Sequence, residues 1–235
     1  MGFNKLRIAF CLSGGPRFEH RGLFRLVDAI KGWDEADFFI RTWKSERYGQ
    51  SEQEFLQYLH DNSEGALDRC GFPVVQVLDD IPEYAPPPKG PLNVADWAPN
   101  FLVMWWGIVQ SHQLFLNHVA KTGKQYDMVF RMRTDMVPRG EVDLREYAEK
   151  VKTKMINAEN FADNFLFGSP EMYQQFVNYW YYLDHLSKTG EFIHPEESLE
   201  KYFRLAGIDY ECLPFIVEPQ WNKGEYRGRW RMDHQ

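Results

Sequence analysis

The sequence has few cysteines and lacks a long apolar run. Its three cysteines, Cys11, Cys70 and Cys212, are far apart and form no CxxC pair. We therefore expect reduced thiols, as in a cytoplasmic protein. The richest apolar stretch, residues 101–108, is much shorter than the roughly 18 residues that a membrane-spanning helix needs. We therefore expect no membrane span.

A positive net charge is also lacking. The formal net charge is −7, which argues against a protein that binds along a nucleic-acid backbone. An anionic ligand would have to be met by a local cluster of basic side chains, because the overall field does not attract it. The first fifteen residues run from a short apolar segment into a Gly-Gly turn with no cleavage site, so we expect a first strand and no signal peptide.

The chain is long and apolar enough to build a globular domain. It has 235 residues, of which 44% are hydrophobic and 16% aromatic, and this composition excludes a disordered chain. Strand-like and helix-like segments alternate, which predicts an α/β fold with a mostly parallel central sheet flanked by helices, in a single domain. Five of the 13 prolines fall within residues 81–91, which we interpret as a surface loop.

Hydrophobic periodicity and capping residues give the expected limits of these segments. The predicted strands are 7–12, 37–43, 74–78, 126–138, 155–158, 164–168 and 211–217. The predicted helices begin near residues 23, 51, 101, 143, 169 and 195, and those beginning at 51 and 195 are expected to end at Cys70 and at Gly207.

Residues 126–138, YDMVFRMRTDMVP, form the most informative segment. An extended backbone would place Arg131, Arg133 and Asp135 in one row, because alternate side chains of a strand share a face. Two guanidinium groups and a carboxylate at the end of a strand suit a phosphate and its counter-cation. An edge strand with one solvated charged face is the alternative, and Pro138 is expected to stop the strand.

A glycine turn follows the first strand. Ser13, Gly14 and Gly15 precede Pro16 and Arg17, and helical spacing begins soon after, so the segment is typical of the opening of a βαβ unit. Two adjacent glycines leave backbone room for a ligand, although a simple tight turn would use them too.

Taken in order, these segments resemble the GT-A glycosyltransferases. Residues 8–17, IAFCLSGGPR, resemble the first-strand loop of bacterial and viral polysaccharide glycosyltransferases. Residues 126–136 resemble the "YD-hydrophobic-R-x-R-x-D" form of the DxD motif. NFLFGSPEMY at 164–173 and HPEESLEKYFRLAGI at 194–208 resemble an acceptor-side strand and a later helix that opens on the catalytic base.

The resemblance implies a GT-A, Rossmann-like sheet, with residues 1–125 as the nucleotide-binding half and 126–235 as the metal and acceptor half. It implies transfer of a sugar from a UDP- or GDP-linked donor to a glycan or other hydroxyl acceptor, with Mn²⁺ or Mg²⁺ as the cofactor. The nucleotide-binding residues would be Ser13, Gly14, Gly15, Arg17, Thr42, Trp43, Arg131 and Arg133. The metal ligands would be Asp135 and His234, and the candidate bases are Glu197, Glu196 and Asp163.

The chain departs from the usual motif in one place. Arg133 occupies the position of the first DxD acid, so Asp135 is the only acid left. One carboxylate can still hold a hard cation through substrate phosphates and water. Alternatively, Arg131 and Arg133 take over part of the work of the metal.

Each candidate also has an ordinary structural interpretation. Asp135 and Asp163 fit turns, Arg17 fits a surface position, and Trp43 fits a core. Glu196 and Glu197 fit the positive end of a helix dipole whatever their role, and His234 lies in a polar C-terminal segment. Two other functions fit the same fold, a sugar-1-phosphate nucleotidyltransferase and a non-catalytic glycan-binding protein.

Overall fold

The computed structural model describes residues 5–14, 22–45, 49–79, 93–94, 101–133, 136–158, 165–213 and 216–219. Its strands are β1 Arg7–Ser13, β2 Ile30–Lys31, β3 Glu35–Trp43, β4 Cys70–Leu78, β5 Asn93–Val94, β6 Met128–Met132, β7 Met136–Arg139, β8 Val142–Asp143, β9 Lys154–Asn157, β10 Phe165–Gly168, β11 Phe192–Ile193, β12 Asp209–Cys212 and β13 Ile216–Pro219. Its helices are α1 Gly22–Ala29, α2 Glu52–Asn62, α3 Phe101–Thr122, α4 Pro170–Val177, α5 Tyr179–Thr189 and α6 Pro195–Ala206.

Seven of these strands form one mostly parallel sheet in the order β4-β3-β1-β6-β10-β9-β12. Only β10 runs against the others, since it pairs antiparallel with both β6 and β9. The prediction of an α/β fold with a mostly parallel sheet is confirmed. The chain starts in the middle at β1, adds β3 and β4 on one side, and then returns to add β6 on the other side.

Apolar side chains cover both faces of the sheet. Along β3, Phe38 and Ile40 belong to a core shared with α1 and α2, whereas Phe39 belongs to a second core shared with α3 to α6. This division follows from the alternation of side chains along a strand. We call the side that carries Phe39 the α3 face.

The predicted length of α2 is wrong. The helix begins as predicted, with Ser51 Oγ accepting a hydrogen bond from the Glu54 amide at 3.2 Å, but it ends at Asn62 and not at Cys70. Glu64 and Gly65 have φ angles of +51° and +86°, which a right-handed helix cannot continue through. β4 consequently begins at Cys70, earlier than expected.

Residues 126–138 do not form one strand. β6 ends at Met132, and β7 pairs with β13 in a separate two-stranded sheet. Pro138 lies inside β7 opposite Val217, so the proline does not stop the strand as expected. The edge-strand alternative is wrong as well, because β6 lies between β1 and β10 and all five of its residues are buried.

The starts of the later helices are confirmed. Ser169 Oγ caps α4 at the Met172 amide over 3.3 Å, and Pro195 opens α6. Gly207 ends α6 in the left-handed conformation, with φ of 67°. The predicted strand 211–217 is two strands, β12 and β13, which belong to different sheets. None of the described helices has the length and apolarity to span a bilayer.

Candidate functional site

The candidate site lies where the strand order reverses. β1 and β6 are neighbours in the sheet, but the connections that leave them run to opposite sides. In open α/β sheets, ligands bind in the crevice outside the carboxyl ends of strands at such a switch point. β1 ends at Ser13, and β6 is followed by Arg133. The topology therefore brings together residues that the sequence singled out 120 positions apart.

The β1 end provides open backbone. Gly14 has a φ angle of +112°, which favours glycine, and a Cβ added there would meet no described atom within 4 Å. Its amide donates a hydrogen bond to the Arg41 carbonyl at 3.2 Å, so Gly14 offers close approach and not a free N–H group.

Helix α3 packs tightly against the same strand end. A Cβ added to Gly107 would lie 3.1 Å from both Cβ and Oγ of Ser13. Glycine inside a helix costs about 1 kcal/mol relative to alanine, and this contact gives the structural reason for it. The missing side chain lets α3 approach the end of β1 closely.

Arg131 in β6 and Arg133 directly after it lie in different environments. Arg131 is in register with Cys11 and only 2% exposed, and its Nη1 donates to the Met132 carbonyl at 3.0 Å. Burial raises the pKa of the Cys11 thiol, and the Arg131 charge opposes that rise. Arg131 therefore lies beneath the rim of the crevice, whereas Arg133, two residues further, is partly exposed.

Buried polar groups surround Arg131 on the α3 face. The Tyr173 ring lies with its centroid 5.2 Å from that of His112, and both side chains are buried. Burial raises the pKa of Tyr173 and lowers the pKa of His112 to about 4. The imidazole is therefore neutral at physiological pH.

The β3 end contributes a residue that sequence reasoning missed. Arg41 is in register with Ser13 and shares the α3 face with Phe39. Its Nη1 donates to Oε1 of Gln110 on α3, and burial lowers its pKa. A cation two residues beyond a buried phenylalanine in a strand was the signal that could have found it.

The two β3 residues predicted from the sequence lie on opposite faces. Trp43 is half-buried on the α3 face, as alternation from Arg41 requires. Thr42 is buried on the other face, and its Oγ1 has no hydrogen-bond partner within the described part of the chain. Trp43 is thus the one of the pair that shares a side with Arg41.

The glutamate pair lies at the same end of the sheet. α6 leads into β12, which runs parallel to β9, so α6 begins at the carboxyl end. Glu196 Oε2 is 3.4 Å from Nδ1 of His194, and Glu197 is exposed.

A chain of buried contacts connects this helix start with α3. The hydroxyl groups of Ser198 and Tyr179 lie 2.5 Å apart, and the Tyr179 ring packs on Trp105 with centroids 4.4 Å apart. Trp105 is two residues before Gly107, which touches the β1 end. Buried contacts thus connect the start of α6 with α3.

Five predicted residues, Gly15, Arg17, Asp135, Asp163 and His234, lie outside the described residues. Within the described ranges, no group of three or more histidine, cysteine or acidic side chains is arranged to hold a metal ion.

Comparison with known protein families and with curated protein sequences gives no match. The chemistry of the crevice has to be inferred from its own residues. Arg41 belongs to β3 on one side of β1, and Arg133 directly follows β6 on the other side, so two arginines flank the end of β1. Guanidinium groups form paired hydrogen bonds with phosphate and carboxylate. The arrangement therefore suits an anion bound above Ser13 and Gly14.

Proposed function

We propose that this chain is a GT-A glycosyltransferase, which transfers a sugar from a UDP- or GDP-linked donor to a hydroxyl group of a glycan or similar acceptor. One observation carries the proposal: the switch point between β1 and β6 combines open backbone at Gly14 with Arg131 near the end of β6 and Arg133 directly after it, two positions before Asp135 in the sequence. A diphosphate is the anion that these groups suit best.

In this proposal the donor diphosphate lies across the end of β1. Arg133 offsets the negative charge that develops on the leaving nucleotide, and Arg131 supports the rim from below. Gly14 has no side chain to obstruct the ligand. Trp43, half-buried on the same face as Arg41, is proposed to stack on the nucleobase.

The proposed cofactor is Mn²⁺ or Mg²⁺, with Asp135 as its ligand and His234 as a second one. The described rim is cationic, so a divalent ion fits there only together with the diphosphate that it would neutralise. When bound, the ion would act as a Lewis acid on the leaving group.

Glu197 is the proposed general base. It is exposed at the start of α6, and Ser198, Tyr179 and Trp105 connect this helix start with α3. A carboxylate there would accept the proton of the acceptor hydroxyl as the new glycosidic bond forms, which corresponds to inversion at the sugar carbon. Glu196, next to His194, and Asp163 are the alternates.

The test is turnover of a panel of UDP- and GDP-sugars with Mn²⁺, measured as release of the nucleoside diphosphate. We expect slow hydrolysis of one donor without acceptor and near-complete loss of it in Asp135→Asn. Asp127→Asn is the matched control, since Asp127 accepts the Arg7 amide at 2.8 Å at the other end of the same segment. Retained turnover in Asp135→Asn would contradict the proposal.

The same assay separates the two other functions. A nucleotidyltransferase would release pyrophosphate from a nucleoside triphosphate and a sugar 1-phosphate. A non-catalytic protein would bind the donor without hydrolysing it, even with acceptor glycans present. Either result would replace the proposed activity.

A further inference from the structure

Arg41 of β3 is held by a neutral side chain, that of Gln110 on α3. Gln110 is three residues after Gly107, so both face the sheet from one side of α3. The amide oxygen of Gln110 accepts a hydrogen bond from Arg41 Nη1, which orients the guanidinium. A neutral amide fixes the direction of the side chain without cancelling its charge.

Arg41 also has hydrogen-bond donors that its contact with Gln110 does not use. Its Nε is buried and has no hydrogen-bond partner among the described residues, and no described carboxylate lies within ion-pair distance of the guanidinium. Partial burial of an unneutralised cation costs free energy, as the lowered pKa of Arg41 also indicates. An anionic ligand would offset this cost, because hydrogen bonds between a guanidinium group and an anion are charge-assisted.

We propose that Arg41, oriented by Gln110, is an anion-binding residue that receives a phosphate of the donor from the β3 side of the crevice, across Ser13 from Arg133. The assignment of the anion as phosphate rests on the proposed function, whereas the anion-binding role does not. A carboxylate of an acidic sugar has the same chemistry, so the experiment includes both.

The position of Arg41 supports a phosphate as the bound anion. Arg41 is paired in register with Ser13, and its carbonyl accepts the Gly14 amide, so its backbone adjoins the open space at Gly14. Neighbouring strands lie about 4.8 Å apart, so a diphosphate above the end of β1 would lie next to Arg41 on one side and to Arg133, directly after β6, on the other.

The decisive variant is Gln110→Glu, because a carboxylate in the place of the amide would neutralise Arg41 within the protein. Affinities are measured by calorimetry for the uridine and guanosine series, each as nucleoside, monophosphate and diphosphate, and for inorganic pyrophosphate. We expect Gln110→Glu to weaken binding of the preferred diphosphate by about tenfold and to leave or raise the melting temperature. Arg41→Ala should weaken the diphosphate at least as much.

Gln113→Glu is the matched control. Gln113 is exposed on the same helix, next to Asn117, so it receives the same charge without contacting Arg41. Its affinities should stay within about twofold of wild type. UDP-glucose and UDP-glucuronate carry the same diphosphate, so an equal loss for both assigns the phosphate, whereas a loss confined to the glucuronate assigns the carboxylate.

The inference fails if Gln110→Glu and Arg41→Ala leave diphosphate and pyrophosphate binding unchanged, or if neither anion binds the wild type at all. It also fails if the free nucleoside loses as much affinity as the diphosphate. Sugar-nucleotide turnover with Arg41-independent affinity would retain the proposed function and remove only this role. Pyrophosphate binding that depends on Arg41, without turnover of any donor, would retain the anion-binding role of Arg41 and contradict the proposed function.

Discussion

Two charged side chains of β3, Asp37 near its start and Arg41 near its end, are held in opposite ways. At the amino end, basic side chains lie against carboxylates: Lys5 and Arg7 contact Glu35, with Arg7 Nε at 3.0 Å, and Lys124 Nζ is 2.5 Å from Asp37 Oδ2. At the carboxyl end, the exposed Lys44 and Asp79 also form an ion pair, over 2.5 Å, but Arg41 is held by an amide.

We interpret Asp37 as a residue that stabilises the fold and Arg41 as a residue that binds a ligand. The Asp37 carboxylate is buried, accepts hydrogen bonds from Lys124 and from the Tyr126 hydroxyl, and fills the space above Gly71, where a Cβ would lie 2.2 Å from Asp37 Oδ1. Burial, followed by the bond to Asp37, raises the pKa of Tyr126. The pairing of Asp37 inside the protein suits a role in stability, whereas Arg41, which has no carboxylate partner among the described residues, suits a role in binding an anion.

The largest effect is expected from Asp37→Ala, which breaks the paired end. The change leaves the Tyr126 hydroxyl and the Lys124 ammonium without their shared acceptor, and we expect a loss of about 4 kcal/mol in the free energy of unfolding. Urea denaturation at pH 7 measures it.

If the two ends are independent, the Asp37→Ala protein that remains folded should bind the preferred nucleoside diphosphate with wild-type affinity. An equal loss of stability and affinity would show that the amino end also shapes the binding site. The two ends would then not be independent.

A second expectation concerns His112, which is buried on α3 between the two ends. Its pKa is about 4 in the folded protein against an ordinary value of 6.5, so below pH 6.5 the unfolded chain takes up a proton that the folded protein refuses. This contribution to stability is complete above pH 6.5 and is lost as the pH falls towards 4. It amounts to roughly 3 kcal/mol.

Comparison of His112→Phe with wild type in urea isolates this contribution, because carboxylates titrate in both proteins. The difference in unfolding free energy should stay constant above pH 7 and move in favour of the variant as the pH falls from 6.5 towards 4. A constant difference over the whole range would mean that His112 takes up its proton in the folded protein as readily as in the unfolded chain.

The smallest effect is expected from Gly107→Ala, which sharpens the other side of the comparison. The new Cβ would press on Ser13 and move α3 away from the β1 end, so we expect diphosphate affinity to fall about threefold. Stability should change by less than about 1 kcal/mol, because alanine favours the helix by a similar amount. Ala120→Gly, at an exposed position of the same helix, should lower stability and leave affinity unchanged.

Local patterns predicted much of the fold. The β1 turn, the long helix α3 and the capped starts at Ser169 and Pro195 follow from periodicity and end-capping residues, which act over a few positions. Ser13 and Gly14 were singled out because the end of β1 can be read from its own segment, whereas Arg133 was singled out within a strand that was expected to continue to Pro138 and that ends at Met132. The parallel sheet then brought these residues together.

The remaining features depend on distant partners. The Gln110 that orients Arg41 is 69 positions away, and no local pattern indicates that a strand arginine will meet a helix glutamine. Glu64, with its positive φ, ends α2 where periodicity would continue it. Pro138 signalled the end of a strand, but in a two-stranded ribbon the missing amide can point away from the partner.

The ribbon of β7 and β13 has a consequence for how the chain is assembled. Residues 136–139, immediately after Asp135, complete their main-chain pairing only with residues 216–219. A ribosome must therefore synthesise nearly eighty further residues before the segment behind Asp135 has its partner strand. The segment behind the proposed metal ligand would complete its main-chain pairing late in biosynthesis.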